Sequence, residues 1–379
     1  MDNLAHSLVG LTAAKAGLDK LSPYATSVCV VSANIADADF ITLFFGDRWT
    51  LLQYHRGITH SIVGTIAIGL IVPTFVFLFE RIVTRMRGRP PKIRFAGLLL
   101  ASMIAAATHP FMDWTNNYGV RPLLPWSGRW FYGDLVFIAD PYIWLGLGAV
   151  AFLLTSDKRW KLIGWSFIAA IATLVLIGAS RQTDPEAFAV RIALAIWTIG
   201  IIVAVSLRRL GPKPLLGSRA AMIALASLVL YWTGLAFAHG RASAQTASLA
   251  ASIAHEHHES LIKTATMPTE ASPFRWQSVV ESDVAFYKFA VIVGSDKSSL
   301  DDVTKFEKPT GKTEQLVSSA EQDRRAQALL GFARFPLARV NTDNCIGQVL
   351  VQMADLRYTE PGRGRGNFSV NIPVDCPLP

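Results

Sequence analysis

Apolar residues along the chain fall into two regimes. Six runs are long enough to cross a bilayer as helix, near 58–79, 95–112, 135–155, 162–179, 187–207 and 220–238, because about 20 helical residues span the hydrocarbon core. The fifth carries Arg191 near its start, where the side chain can snorkel to the interface. Residues 3–21 and 23–45 are also largely apolar but are interrupted by Lys15, Asp37 and Asp39. They form either a hairpin that crosses, giving eight spans, or one packed partly into the outer leaflet. From 239 onward the pattern changes. Residues 241–264 read as a helix carrying His255, His257 and His258. Apolar and polar positions then alternate in "RWQSVVES", "VAFYKFAVIV" and "IGQVLVQMADLRY", which read as strands. "EQDRRAQALLGFARF" reads as an amphipathic helix, and 295–315 and "EPGRGRGN" as polar loops. The expected fold is mainly α: a polytopic helical membrane domain of six to eight spans over residues 1–238, followed by a smaller α+β domain over 239–379.

Composition agrees with the pattern. Hydrophobic residues make up 51% of the chain and charged residues only 17%, against about 25% in soluble domains. The net charge of +8 is not a nucleic-acid footprint, and no nucleic-acid partner is expected, because the charge concentrates in short loops between apolar runs. The loops after the first, third and fifth runs hold thirteen Lys and Arg, and the intervening loops hold four. Basic loops stay cytoplasmic, so the start of the first run, the end of the second and the 239–379 domain belong outside the cytoplasm. The N-terminus lacks the basic segment and clean apolar core of a cleavable signal, so targeting would rest on the spans. Cys345 and Cys376 lie in the exported part and either pair there or remain free thiols, whereas Cys29 reads as a small core residue.

The topology concentrates candidate chemistry at one membrane face. His60 opens the first long run and His109 closes the second, and antiparallel neighbours joined by a short loop bring these ends together. His109 and Asp113 in "HPFMD" are four residues apart, on one helix face, and Pro110 between them need not break the helix. Ionisable groups at membrane depth are costly unless paired or used. His6, Asp37, Asp39 and His55 supply further imidazoles and carboxylates. Such a set, without thiolates, suits zinc, manganese or iron. Seven candidates exceed the four ligands usual for one zinc and would suit two ions with an open position for water. Arg56 is placed to contact an anionic group such as phosphate or to anchor at the interface. Asn34, Thr59 and Ser61 could orient ligands, and Asp140 could be an auxiliary ligand or a partner for Arg129.

The ordered motifs "AHSLVG", "NIADAD", "HRGITHS" and "HPFMD", with "GDLVFIADPYIWL" at 133–145, resemble the LexA-regulated, membrane-bound metal-dependent hydrolase family over roughly residues 1–150. That family is distantly similar to zinc-dependent phospholipase C-type enzymes. The resemblance implies His6, Asp37, Asp39, His55, His60, His109 and Asp113 as metal ligands. Ala36 stands where the family's acidic motif commonly has proline, which affects the local turn and removes no ligand.

These features lead to an expected function: an integral-membrane hydrolase with one or two divalent ions, zinc above manganese or iron. It would activate water at the outer face against a phosphoester or ester of a lipid-like substrate, with Asp37 or Asp39 as general base and Arg56 on the anion. The bilayer and that substrate are the expected partners. The alternative is a non-enzymatic membrane protein with a structural metal and an exported interaction domain. A proton or ion transporter is weaker, because spans four to six lack acids at intermediate depth. The charge asymmetry makes a direct prediction. A reporter enzyme that works only outside the cytoplasm will be silent when inserted at residue 88 and active when fused after residue 260; the reverse pattern would invert the topology.

Overall fold

The computed structural model describes residues 1–182, 187–211, 213–295, 303–340, 347–362 and 368–376. The chain forms two compact units. The first comprises Met1–Ala38, Arg56–Ala238 and Pro268–Pro273; the second comprises Asp39–His55, His239–Met267 and Phe274–Pro379. Helices dominate, and the seven strands all lie in the C-terminal part among the described residues. The second unit also takes in residues 39–55, from within the stretch read as one membrane domain.

In the first unit, α1 (Asn3–Lys15) starts where the Asp2 carboxylate accepts the Ala5 N–H at 3.0 Å. It lies close against α2 (Ala25–Ser32) because Gly10 has no side chain: a Cβ there would come within 2.8 Å of the Cys29 carbonyl oxygen. A 3-10 segment, Ile35–Phe44, follows. Neither α1 nor α2 reaches the length of a span. The pair Ala25–Ser32 and Ile35–Phe44, bent by 52°, counts as one broken span at most. Among the described residues, five other helices are long and apolar enough to cross a membrane.

Two of those five form the scaffold of the site. Ser61 caps α4 (Ile62–Met86), its hydroxyl accepting the Gly64 N–H at 3.1 Å. Gly64 lets the preceding turn fold over the helix start, since a Cβ there would collide with the Ile58 carbonyl. Helix α5 (Phe95–Trp114) runs through Pro110 and buries one stripe: Leu98, Ala101, Ser102, Ala105, Ala106, His109, Met112 and Asp113. Its small residues admit α2 closely, and Ser32 and Ser102 hydroxyls meet at 2.8 Å.

The expected third span is shorter than its apolar run. The helix is only α6 (Pro141–Thr155), because Asp140 accepts the Tyr142 and Ile143 N–H groups and Pro141 occupies the first turn. Residues 135–140 are instead non-helical, with a bend at 138–139, within an irregular segment fastened by the bridges Asn116↔Val136 and Val120↔Phe131. Helices α7 (Arg159–Ser180) and α8 (Ala187–Leu210) follow. Arg191 donates to the Ser180 carbonyl at 3.1 Å, at the C-terminal end of α7 where a cation is favoured.

The expected break between the last span and the helix carrying the histidines is absent. Helix α9 runs from Lys213 to His257, interrupted only by non-helical backbone at Gly217. Ala242, Thr246, Ala250 and Ile253 are buried at helical spacing, so the helix keeps a packing face beyond the apolar run.

The second unit contains α3 (Arg48–Tyr54), whose start is capped by Asp47, and two antiparallel sheets. One has the order β1 (Leu261–Thr269), β2 (Ser272–Ser282), β3 (Ala285–Ile292), β4 (Thr304–Glu307); the other has β5 (Pro336–Val340), β6 (Gln348–Asp355), β7 (Ser369–Asp375). The expected strands are β2, β3 and β6, and the expected amphipathic helix is α11 (Arg324–Phe332). Helix α10 (Lys312–Ala320) and β4 fall partly in a stretch read as polar loop. Register places Trp276 opposite Val291 and Val280 opposite Tyr287, and all four are buried. Cys376 is disulfide-bonded and Cys29 is a buried free thiol; Cys345 lies outside the described residues.

Where β2, β3 and β4 meet the end of α9, Glu259 accepts from Ser282 at 2.6 Å, Tyr287 at 2.7 Å and Lys305 at 3.2 Å. Burial pushes its pKa up, but the three donors outweigh burial and hold it below the ordinary value. Tyr287 is pushed up to about 12, by burial first and then by Glu259. The folded state therefore holds the Glu259 proton less tightly than the unfolded chain. Its stabilisation is complete above the unfolded value, roughly 4.3, and is lost as pH falls through the folded one. Acid titration of thermal stability will show this loss in the wild type, and Glu259→Gln will flatten it; an unchanged acid limb would contradict the network.

Candidate metal centre

Four side chains of the first unit converge: Asp37 from the 3-10 segment, His60 from the turn before the Ser61 cap, and His109 and Asp113 from the end of the buried α5 stripe. One ligand atom from each lies within 4.8 Å of all the others. His60 Nε2 is 3.3 Å from Asp37 Oδ1 and 3.2 Å from Asp113 Oδ2. His109 Nε2 is 3.5 Å and 3.4 Å from the same two oxygens, and 3.0 Å from His60 Nε2. Four donors around one ion at about 2.0–2.1 Å stand roughly 3.4 Å apart in tetrahedral geometry. The four His–Asp edges match that spacing, and the His60–His109 edge is shorter.

Orientation strengthens the fit. His109 Nδ1 lies 2.7 Å from the Ala33 carbonyl oxygen, a contact that requires the proton on Nδ1. In the neutral ring Nε2 then presents its lone pair to two carboxylate oxygens and a second imidazole. A cation between them removes the repulsion. His60 is oriented through Thr59 Oγ1, 2.9 Å from its Nδ1, the role foreseen for Thr59. His6 is fully buried, stacks on His109 at 3.9 Å and lies 3.4 Å from Asp113 Oδ1. Neither of its ring nitrogens has a hydrogen-bond partner, and leaving such groups unmet costs about 1–3 kcal/mol each. The donor set fits a borderline divalent ion, with His60, His109, Asp37 and Asp113 as ligands and His6 beside them.

Arg56 is used differently from the open anion contact expected. Its guanidinium is 2.8 Å from Asp113 Oδ1 and donates to the Asp113 carbonyl at 3.3 Å, Asn116 Oδ1 at 3.0 Å and the Gly119 carbonyl at 3.1 Å. It lies 4.5 Å from the Tyr118 ring and is 3% exposed. The turn carrying it has φ 53° at Arg56, a left-handed conformation costly for a side-chain-bearing residue. The Met1 amine also contacts Asp113 Oδ1.

The remaining expected residues divide. Asp39 and His55 belong to the second unit and pair with each other, Oδ1 to Nδ1 at 2.9 Å. Asn34 donates to the Val30 carbonyl and accepts from Ser7, and Ser61 is the α4 cap, so neither orients a ligand. Asp140 is a helix cap that accepts the Tyr231 hydroxyl at 2.8 Å, not a ligand or an Arg129 partner. His255, His257 and His258 stand exposed. Sequence reading missed Asn116 and Tyr118, which hold Arg56; their signal was the polar "NNYG" directly after an apolar helix.

Residues 1–183 match the YdjM inner membrane protein family, and all seven candidate ligands fall in that stretch. With five long apolar helices, the assignment is direct. This is a multi-pass membrane protein. The match supports the membrane family that the N-terminal motifs resemble, and the family description carries no enzymatic activity. The uncharacterized protein YfhP of Bacillus subtilis (strain 168) is 27% identical over 161 residues, 40% of this chain and 46% of YfhP. The chain thus spans less than half of that relative's length. No solved structure matches.

The two arginine pairs give contrasting expectations. Arg56→Met leaves the Asp113 carboxylate buried without its guanidinium and will cost about 3–5 kcal/mol. Arg324→Met, which breaks the exposed pair with Asp47, will cost under about 1 kcal/mol. Denaturation of the purified full chain in detergent measures both, and equal losses would refute the assignment.

Proposed function

We propose that the protein is an integral-membrane metal-dependent hydrolase acting at the outer membrane face on a phosphoester or ester of a lipid-like substrate. The observation that carries this reading is the spacing of His60, His109, Asp37 and Asp113, with the His109 lone pair turned inward by Ala33. A zinc-class ion bound there would polarise the scissile oxygen and lower the pKa of water. The chain's own residues do the rest. Arg56 fixes Asp113 so that Oδ2 faces the histidines, and Thr59 and Ala33 set the two rings. In this reading His60, His109 and Asp113 would hold the ion and leave one position for water, and Asp37, at 8% exposure the most open of the four, would accept the proton as general base. The loop charge supports a position outside the cytoplasm for this end of α4 and α5 and for the 239–379 domain.

Near-complete burial of the other three residues also favours a second reading, a closed structural metal site in a protein whose C-terminal domain binds partners. Metal analysis of the purified chain, with headgroup release from a panel of lipid phosphoesters and esters, separates the two. The enzyme reading expects about one zinc-class ion per chain, loss of metal and hydrolysis in His60→Ala and His109→Ala, and retention of both in His255→Ala. Metal without hydrolysis would leave the structural reading; a wild-type chain without divalent metal would overturn both.

A further inference from the structure

A cavity of about 480 Å³ opens between α4 and α5, with His60 on its wall. That volume falls within the roughly 300–1,000 Å³ of small-ligand sites. Ile66 on α4 and Met103, Ala107 and Phe111 on α5 form its sides, and Val120 and Phe131 from the irregular segment close one end. The segment is tied to the start of α4 by the Ile62 N–H, which donates to the Pro122 carbonyl at 3.0 Å. Polar lining is sparse: His60, Thr65 and the Trp114 indole. Thr65 spends its hydroxyl on the Ser61 carbonyl at 2.8 Å.

We propose that this groove seats one hydrocarbon chain of a membrane lipid, with the polar end of that chain at the end of the groove behind which the buried His60 lies. Ile66 and Phe111 are 46% and 51% exposed on helices of membrane-spanning length, so the open side of the groove faces lipid and the occupant enters sideways. A water-soluble phosphoester would leave its own polar groups without partners against these apolar walls, at a cost of several kcal/mol by general transfer data. A lipid tail meets only like surface. The chain therefore selects membrane amphiphiles, and the groove sets which bond of the lipid reaches the metal candidate. The chemistry at His60 rests on the hydrolase reading; occupancy of the groove does not.

The test uses the full chain in nanodiscs containing a phospholipid with a diazirine at its acyl-chain end. Light should place adducts on Ile66, Met103 and Ala107. Ala107→Trp and Ile66→Trp, which fill the groove without touching a ligand, should each cut those adducts about tenfold, as expected for overfilling an occupied apolar space. Metal content should stay at the wild-type level, and Ala107→Ser should behave as wild type. Groove labelling that survives both Trp variants, or that is no denser than at the lipid-facing Phe167 of α7, would overturn the proposal. If the wild type holds no metal but the Trp variants lose labelling, the lipid subsite stands and the hydrolase reading falls.

Discussion

Everything in the first unit turns on one buried carboxylate. Asp113 is 1% exposed and shares its two oxygens between the Arg56 guanidinium on one side and the His60 and His109 imidazoles on the other. An ionised group so far from water persists only with close counter-charges and hydrogen bonds. That demand explains why an arginine sits in a left-handed turn with Asn116, Gly119 and Tyr118 packed around it. It also explains why three histidines lie within 3.4 Å of the carboxylate oxygens. With Oδ1 engaged by cations, Oδ2 can face the histidines and Asp37.

The bilayer supplies the other constraint. Helix α5 must satisfy its backbone internally and present apolar surface outward, so its polar pair can occur only on the stripe facing α1 and α2. Small residues along the stripe bring those helices near enough for Ala33 to set the His109 ring. The same pressure leaves the opposite faces of α4 and α5 apolar, and the groove between them runs to His60. Lipid-facing surface and metal candidate thus share one residue.

Much of this was legible in the sequence because the signals were local or periodic. Five of the six apolar runs are long helices at or near their expected positions, and the third became the shorter α6. Spacing of four put His109 and Asp113 on one face, and loop length brought His60 to them. The misses were of longer range. Hydropathy could not see that "LVFIA" at 135–139 would stay outside the helix, because the stop signal is the Asp140 carboxylate capping α6. The continuation of α9 past residue 238 goes with packing at Ala242, Thr246 and Ala250. Arg56 looked available for an anion because nothing local revealed that Asp113 would claim it.

X-ray absorption at the zinc edge of the full chain, purified and loaded with one equivalent of zinc, tests the central claim most directly. The account predicts light scatterers only, at about 2.0–2.1 Å, with the multiple scattering of two imidazoles that falls to one in His109→Ala. A spectrum with sulfur neighbours, or with no imidazole contribution that responds to His60 or His109, would contradict it.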